Sequence, residues 1–250
     1  MIFATSIWKE QREVESFEVD MNGRLRAHFL FAFLLNAAWN HAEAFEFDHR
    51  ALSARNLMWV LSKLQLSIHT LPAWGEKIIV ETWGKRIERF YALRDFVVSE
   101  AGGEKLCSAT SAWMILDKSS YRPQRLEVLM KDFPWTPERN EIETDLKKIP
   151  EPATENTCSQ CDVLFSDIDV NKHVTATRYL QWIIDSSPHQ LLTEDELKYV
   201  EISFLAQAVL GDRISVCREG KAEGDLCRIR RLTDNQELCR ARLEWRGAHA

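Results

Sequence analysis

The stretch HFLFAFLLNAAWNHAEAF, from His28 to Phe45, carries apolar side chains on nearly every face and contains no glycine or proline. Such a pattern predicts a helix buried on all sides within a larger structure. Four runs rich in β-branched and aromatic residues follow it and predict strands at Leu57–His69, Lys77–Lys85, Tyr91–Ser99 and Lys105–Leu116. Ala101-Gly102-Gly103 separates the last two as a tight hairpin turn. A shorter helix is predicted from Ala176 to Asp185, with Tyr179, Trp182 and Ile183 on one face and Ser186-Ser187-Pro188 closing it. Strands are expected again at Lys198–Leu205, Arg213–Glu219, Leu226–Leu232 and Glu237–Trp245, the last two joined by Thr233-Asp234-Asn235.

The two halves echo each other in sequence as well as in element order. Leu106-Cys107-x-Ala109-x-x-x-Trp113 recurs as Leu238-Cys239-x-Ala241-x-x-x-Trp245. Gly75-Glu76-Lys77-Ile78-x-Val80 recurs as Gly211-Asp212-Arg213-Ile214-x-Val216, and Asp20-x-Asn22 before the first helix as Asp169-x-Asn171 before the second. Three matches in the same order argue for duplication. A buried helix followed by an antiparallel meander gives each half an α+β layout in which the sheet wraps its helix. The expected organisation is one repeat over residues 1–117, a crossover over 118–157 and a second repeat over 158–250. The crossover region holds five of the 7 prolines and is expected to run over the surface.

Composition narrows the class. A hydrophobic fraction of 45% with 28% charged residues is that of a globular protein. The net charge of −6 supplies no global attraction to nucleic acid or to an anionic membrane. The longest strictly apolar run, Phe29 to Leu35, is far shorter than the ~20 residues of a membrane span. The first residues show no basic start with an apolar core, so no signal peptide and a cytoplasmic location are expected. The 6 cysteines are then expected as reduced thiols. Cys158-x-x-Cys161 stands alone without a second ligand pair, so neither a zinc site nor a redox centre is expected, and no metal or cofactor is called for.

The segment from Ser166 to Val174, SDIDVNKHV, places Asp167, Asp169, Asn171 and His173 just ahead of the second helix. The free N–H groups and positive end of that helix point at the loop. A carboxylate, an amide and an imidazole there could polarise a carbonyl, stabilise its oxyanion and position a water. Asp and Asn before a helix also serve simply as caps and turn formers.

Asp169-Val-Asn171-Lys-His173-Val followed by Tyr179-Leu-Gln-Trp182-Ile resembles the signature of the acyl-ACP thioesterases, the plant chain-terminating enzymes and their bacterial relatives. Asn22-Gly23-Arg24-Leu25, Asn36-Ala-Ala-Trp39-Asn40-His41-Ala-Glu43, Trp59-Val-Leu-Ser-Lys-Leu and Pro72-Ala-Trp74-Gly75-Glu76 carry the resemblance through the first half. It implies two fused hot-dog repeats, a double hot dog, with one active site contributed mainly by the second. It implies hydrolysis of the thioester between a fatty acyl chain and acyl carrier protein, with Asp169, Asn171 and His173 as the catalytic set. The family's further Glu falls here on Gln207, a departure, because an amide can orient a water but cannot take its proton. His173 or Asp169 would then be the general base, with Asn171 and Gln207 holding water and carbonyl.

On the first helix, Asn36, Trp39, Asn40 and His41 are candidates to line the substrate channel, although a buried histidine is more often a satisfied core group. An acidic carrier would dock on a basic surface. Arg228 with Arg230, and Arg240 with Arg242, alternate on hairpin partners and are one candidate; Lys85, Arg86 and Arg89 are another. An acyl-CoA thioesterase or a catalytically weak acyl-binding protein are the alternatives. Fused repeats supply internally the pairing of single hot dogs, which allows a monomer, while an exposed sheet edge could still pair two chains as a homodimer; the sequence leaves both states open.

Overall fold

The computed structural model describes residues 6–143, 146–154, 157–221 and 224–247; residues 1–5, where a leader would begin, lie outside them. The chain divides into two units, Met1–Leu146 and Lys147–Ala250.

In the first unit, β1 (Ile7–Glu13) leads through a 3-10 turn at Ser16–Glu18 into α1 (Ala27–Glu43). Then come α2 (His49–Ser53), β2 (Leu57–Ile68), β3 (Lys77–Glu88), β4 (Tyr91–Glu100), β5 (Lys105–Asp117) and α3 (Leu126–Leu129). Its strands lie in the order β1-β3-β4-β5-β2, antiparallel throughout. Helix α1 rests on β3 and β1, and buries Leu30, Phe31, Phe33 and Leu34 with Ile78, Val80 and Trp83 of the sheet.

The second unit repeats the plan. β6 (Thr157–Asp162) runs through a 3-10 turn at Phe165–Asp167 to α4 (Ala176–Asp185) and α5 (His189–Glu194). β7 (Asp195–Phe204), β8 (Arg213–Glu219), β9 (Asp225–Arg231) and β10 (Glu237–Gly247) follow. The order is β6-β8-β9-β10-β7, the same arrangement of first, third, fourth, fifth and second strands. Duplication of a hot-dog α+β unit is thus present in the topology itself. The predicted helices and meander strands coincide with α1, α4, β2–β5 and β7–β10, to within a few residues at their ends.

Strands β1 and β6 escaped the sequence pattern. IWKEQRE and TCSQCD are polar because each forms the outer strand of its own unit, where one face meets water and charges discourage further pairing.

Three expectations need correction. The crossover does not simply run over the surface: Leu126, Met130 and Phe133 are 0%, 3% and 4% exposed and join Leu52, Leu57 and Ile115 in one cluster. Each such side chain contributes about 1.5–3 kcal/mol when buried, which outweighs the flanking Pro123 and Pro134 as a reason to pack. The approach is close enough that a Cβ on Gly84 would lie 2.4 Å from the Phe133 ring. Second, not all thiols are reduced: Cys158 forms a disulfide with Cys217. The two are direct partners in the β6–β8 register, with Cα atoms 4.2 Å apart, a proximity that sequence spacing does not reveal. Third, the four arginines are not a free basic face. Arg228 and Arg240 are opposite each other and buried; Arg240 donates to the Ile149 carbonyl at 2.8 Å and pairs with Glu237 and Glu151 at 2.7 and 3.0 Å. Lys85 is likewise buried, 3.5 Å from Asp95.

Candidate active site

The loop between β6 and α4 is built on carboxylates that bind their own backbone. Asp167, 1% exposed, accepts the Leu164 N–H at 2.8 Å, and its carboxylate lies 2.6 Å from Arg178 Nη2 on α4. The Thr175 N–H donates to the Asp167 carbonyl at 2.9 Å, which ties the start of the loop to the start of the helix.

Between these anchors Asp169 organises a tight turn. Its Oδ1 accepts the N–H groups of Asn171 at 2.8 Å and His173 at 3.3 Å, and its Oδ2 accepts the Asn171 side-chain amide at 3.3 Å. The backbone closes from Asp169 N to the His173 carbonyl at 2.8 Å, with Lys172 between them at φ 66°. With three donors on it, the Asp169 carboxylate holds Asn171 by both its backbone and its side-chain amide. His173 is half-buried on the same turn. Helix α4 begins with no side-chain cap at Thr175, so the Thr175 hydroxyl leaves its leading N–H groups to another acceptor.

Gln207 reaches this loop through the backbone. The Val174 N–H donates to the Ala208 carbonyl at 2.9 Å, so the segment that carries Gln207 runs alongside the one that carries His173. Gln207 is exposed, and its carbonyl accepts from Arg231 Nη1 at 3.3 Å. The predicted quartet is thus gathered in one unit by one loop and the strand exit beside it. Together it offers an imidazole, two amides and uncapped helix N–H groups, which is the equipment for attack of water on an acyl carbonyl.

The first unit repeats this turn without its chemistry. Asp20 Oδ1 accepts the Asn22 and Arg24 N–H groups at 2.8 and 3.0 Å, and Leu25 N donates to the Pro72 carbonyl at 2.8 Å. Matching bond for bond puts Arg24 where the second unit has His173, and Leu71 where it has Gln207. No imidazole stands on that turn.

Comparison with known proteins decides the family. The model for the acyl-ACP thioesterase N-terminal domain matches residues 5–131, and that for the acyl-ACP thioesterase C-terminal domain matches residues 150–247. The chain belongs to the acyl-ACP thioesterase family. It is 26% identical to the chloroplastic palmitoyl-acyl carrier protein thioesterase of Gossypium hirsutum over 98% of its own length and 65% of that relative's. It is 25% identical to the chloroplastic oleoyl-acyl carrier protein thioesterase 2 of Arabidopsis thaliana, covering 96% of this chain and 76% of the relative. The chain thus spans just under two thirds of the cotton protein. An acyl-ACP thioesterase from Bacteroides thetaiotaomicron superposes with a TM-score of 0.88 at 26% identity, covering 96% of this chain and 98% of that one. The 12:0-ACP thioesterase from Umbellularia californica shares the fold, with a TM-score of 0.87 at 20% identity and coverage of 97% and 98%.

Of the residues expected to line a channel in this family member, Asn36 and Asn40 border an open depression of about 410 Å³ on the first unit, with Glu10, Arg12, Glu13 and Glu18. Asn40 donates to Glu10 at 2.9 Å. That wall is polar and anionic, unlike the lining an acyl chain needs. Trp39 is 44% exposed and stacks on His49. His41 is 0% exposed and 2.9 Å from Arg94 Nη1, so it is a core group and not a surface for substrate.

The thiols are also placed. Burial pushes Cys107 and Cys227 up to about 12 and Cys239 well above the usual thiol value, which makes them inert as nucleophiles. No cluster of three or more metal-ligating side chains occurs among the described residues. Nor is any helix among them long and apolar enough to cross a membrane.

Sequence reasoning missed the supports: Arg178, the Tyr179 hydroxyl and Arg231. Their signal was available in the repeat, since the matched positions of the first half hold Phe29, Leu30 and Glu100 instead.

Proposed function

We propose that this protein hydrolyses the thioester of fatty acyl-acyl carrier protein, releasing free fatty acid and the carrier thiol. The observation that carries this is the union of Asp169, Asn171 and His173 on one turn at the start of α4, with Gln207 joined to it through the Val174–Ala208 hydrogen bond. Membership of the acyl-ACP thioesterase family supports it.

In this reading His173 takes a proton from water as the water oxygen bonds to the acyl carbon. The oxyanion is held by N–H groups at the start of α4 and by the amide of Asn171. The carbon–sulfur bond then breaks, and the proton passes from His173 to the departing thiolate. Asp169 fixes Asn171, and Gln207 orients the water without accepting its proton. No cofactor takes part. The partner is the acyl-loaded carrier.

The test is fatty acid release from a panel of acyl-ACPs beside matched acyl-CoAs, for the wild type and His173→Ala. Turnover on acyl-ACP that collapses in the variant upholds the proposal; turnover on acyl-CoA alone would move it to that carrier. Gln207 favours a second reading, an acyl-binding protein with weak catalysis. Absence of turnover on either carrier, with saturable binding of acyl chains, would establish that one instead.

A further inference from the structure

We propose that Tyr179 is a positioning residue of this site, its buried hydroxyl fixing the backbone on which Gln207 stands beside His173. The proposal rests on the assignment of Gln207 and His173 made above.

Tyr179 is 3% exposed on α4, in edge contact with Trp182 and Phe204. Its hydroxyl accepts the N–H of Ala208 at 2.9 Å. Ala208 is itself 0% exposed, so that N–H would otherwise be an unpaired buried donor. Across the same peptide bond, the Gln207 carbonyl accepts from Arg231 Nη1, whose guanidinium is held by Asp212 at 3.2 Å and Asp234 at 2.9 Å. The Gln207–Ala208 peptide is therefore gripped through both of its polar atoms. Burial also raises the phenol well above its ordinary value, so the hydroxyl keeps its proton across the working pH range.

The first unit shows that the fold does not need this grip. At the matched positions it has Leu30, which is 0% exposed, and Pro72, which has no N–H to satisfy. There the carbonyl of Leu71 accepts from Arg24 Nη1 at 3.3 Å, and Arg24 occupies the position of His173. In the second unit Arg231 takes over that carbonyl, which leaves position 173 to an imidazole. Tyrosine and a donor N–H appear together in the unit that has the imidazole, and leucine and proline together in the unit that lacks it. A purely structural role would be served equally by the second pair.

The experiment measures kcat and KM on acyl-ACP for the wild type, Tyr179→Phe, Gln207→Ala, Tyr179→Phe/Gln207→Ala and Tyr179→Leu/Ala208→Pro, with thermal midpoints for each. Tyr179→Phe is expected to lower kcat roughly fivefold to tenfold, the worth of one buried hydrogen bond, with KM unchanged. The double variant with Gln207→Ala is expected to be no slower than Gln207→Ala alone, because Tyr179 acts through Gln207. Tyr179→Leu/Ala208→Pro installs the first unit's pair and leaves no unpaired N–H. It is expected to fold like the wild type yet share the loss in kcat, which keeps the test valid should Tyr179→Phe fold poorly. Wild-type kcat in the Leu/Pro variant, or losses that multiply in the double variant, would overturn the role of Tyr179 while leaving the site assignment intact. Wild-type turnover in both Gln207→Ala and His173→Ala would instead overturn the assignment, and the role of Tyr179 with it.

Discussion

Asp169 holds Asn171 by both ends: Oδ1 accepts its backbone N–H at 2.8 Å and Oδ2 its side-chain amide at 3.3 Å. The carboxylate therefore sets the direction of an amide that would otherwise rotate freely on an exposed turn. Asp169→Ala should lower kcat on acyl-ACP by roughly 100-fold, the usual cost of losing a preorganised donor. KM should change by much less, since no contact with the acyl chain is removed. Steady-state kinetics check this, and a loss confined to KM would show that Asp169 does not orient the amide for the reaction.

The ion pair between Asp167 and Arg178 fastens the loop to α4 at 2.6 Å, with the carboxylate side chain 1% exposed and the arginine 30%. Removing the cation leaves a buried carboxylate unpaired, which typically costs 3–5 kcal/mol in a fully enclosed pair. Partial exposure of Arg178 reduces this, so Arg178→Leu should destabilise the protein by about 2–3 kcal/mol. The denaturant midpoint reads the effect. Asp167→Asn/Arg178→Leu, which removes both charges, should recover part of the loss.

Acid stability carries a signature of Glu10. Burial pushes its carboxyl upward, but hydrogen bonds from Trp8, Asn40 and Arg12 outweigh burial and hold it below the ordinary value of 4.5. A carboxyl depressed in the folded state contributes stability above its unfolded pKa, and that contribution is lost as pH falls through the folded one. Glu10→Gln should therefore make the folded protein less stable near neutrality. It should also flatten the fall in unfolding free energy below 4.5. Chemical denaturation at a series of pH values measures the slope, and equal slopes in the two proteins would contradict the expectation.

The Cys158–Cys217 bridge closes a loop with a sequence separation of 59. On chain-entropy grounds a loop of that size is worth about 4 kcal/mol, and native bridges deliver about 2–4. In oxidised protein, Cys158→Ser should lower the unfolding free energy by that amount, and reduction of the wild type should reproduce it. Peptide mapping without reductant should recover Cys158 linked to Cys217. Thiol labelling of the native protein should find Cys161 and miss Cys107, Cys227 and Cys239, which are buried.

Much of this was legible in the chain because the signals were local. Helix α1 announces itself through unbroken apolar character, and the meander strands through β-branched and aromatic runs between short turns. The duplication was visible because Leu-Cys-x-Ala-x-x-x-Trp and Gly-acid-base-Ile sit at matched places in both halves. The loop of Asp169, Asn171 and His173 lies within five residues, so sequence alone sufficed to single it out. What sequence left open depended on contacts between distant residues. Cys158 meets Cys217 because β6 pairs with β8, and Phe133 lies on Gly84 because the crossover folds back on β3. Arg228 and Arg240 lose their freedom because the strands bearing them are covered by the segment at Ile149 and Glu151. His41 and Asn40 are neighbours in the chain, yet helical rotation sends one into the core against Arg94 and the other toward Glu10. The segment of Gln207 is laid alongside that of His173 by the backbone bond between Val174 and Ala208. Local pattern specified the elements and named the chemistry; strand register and burial, which no window of sequence contains, decided which side chains meet.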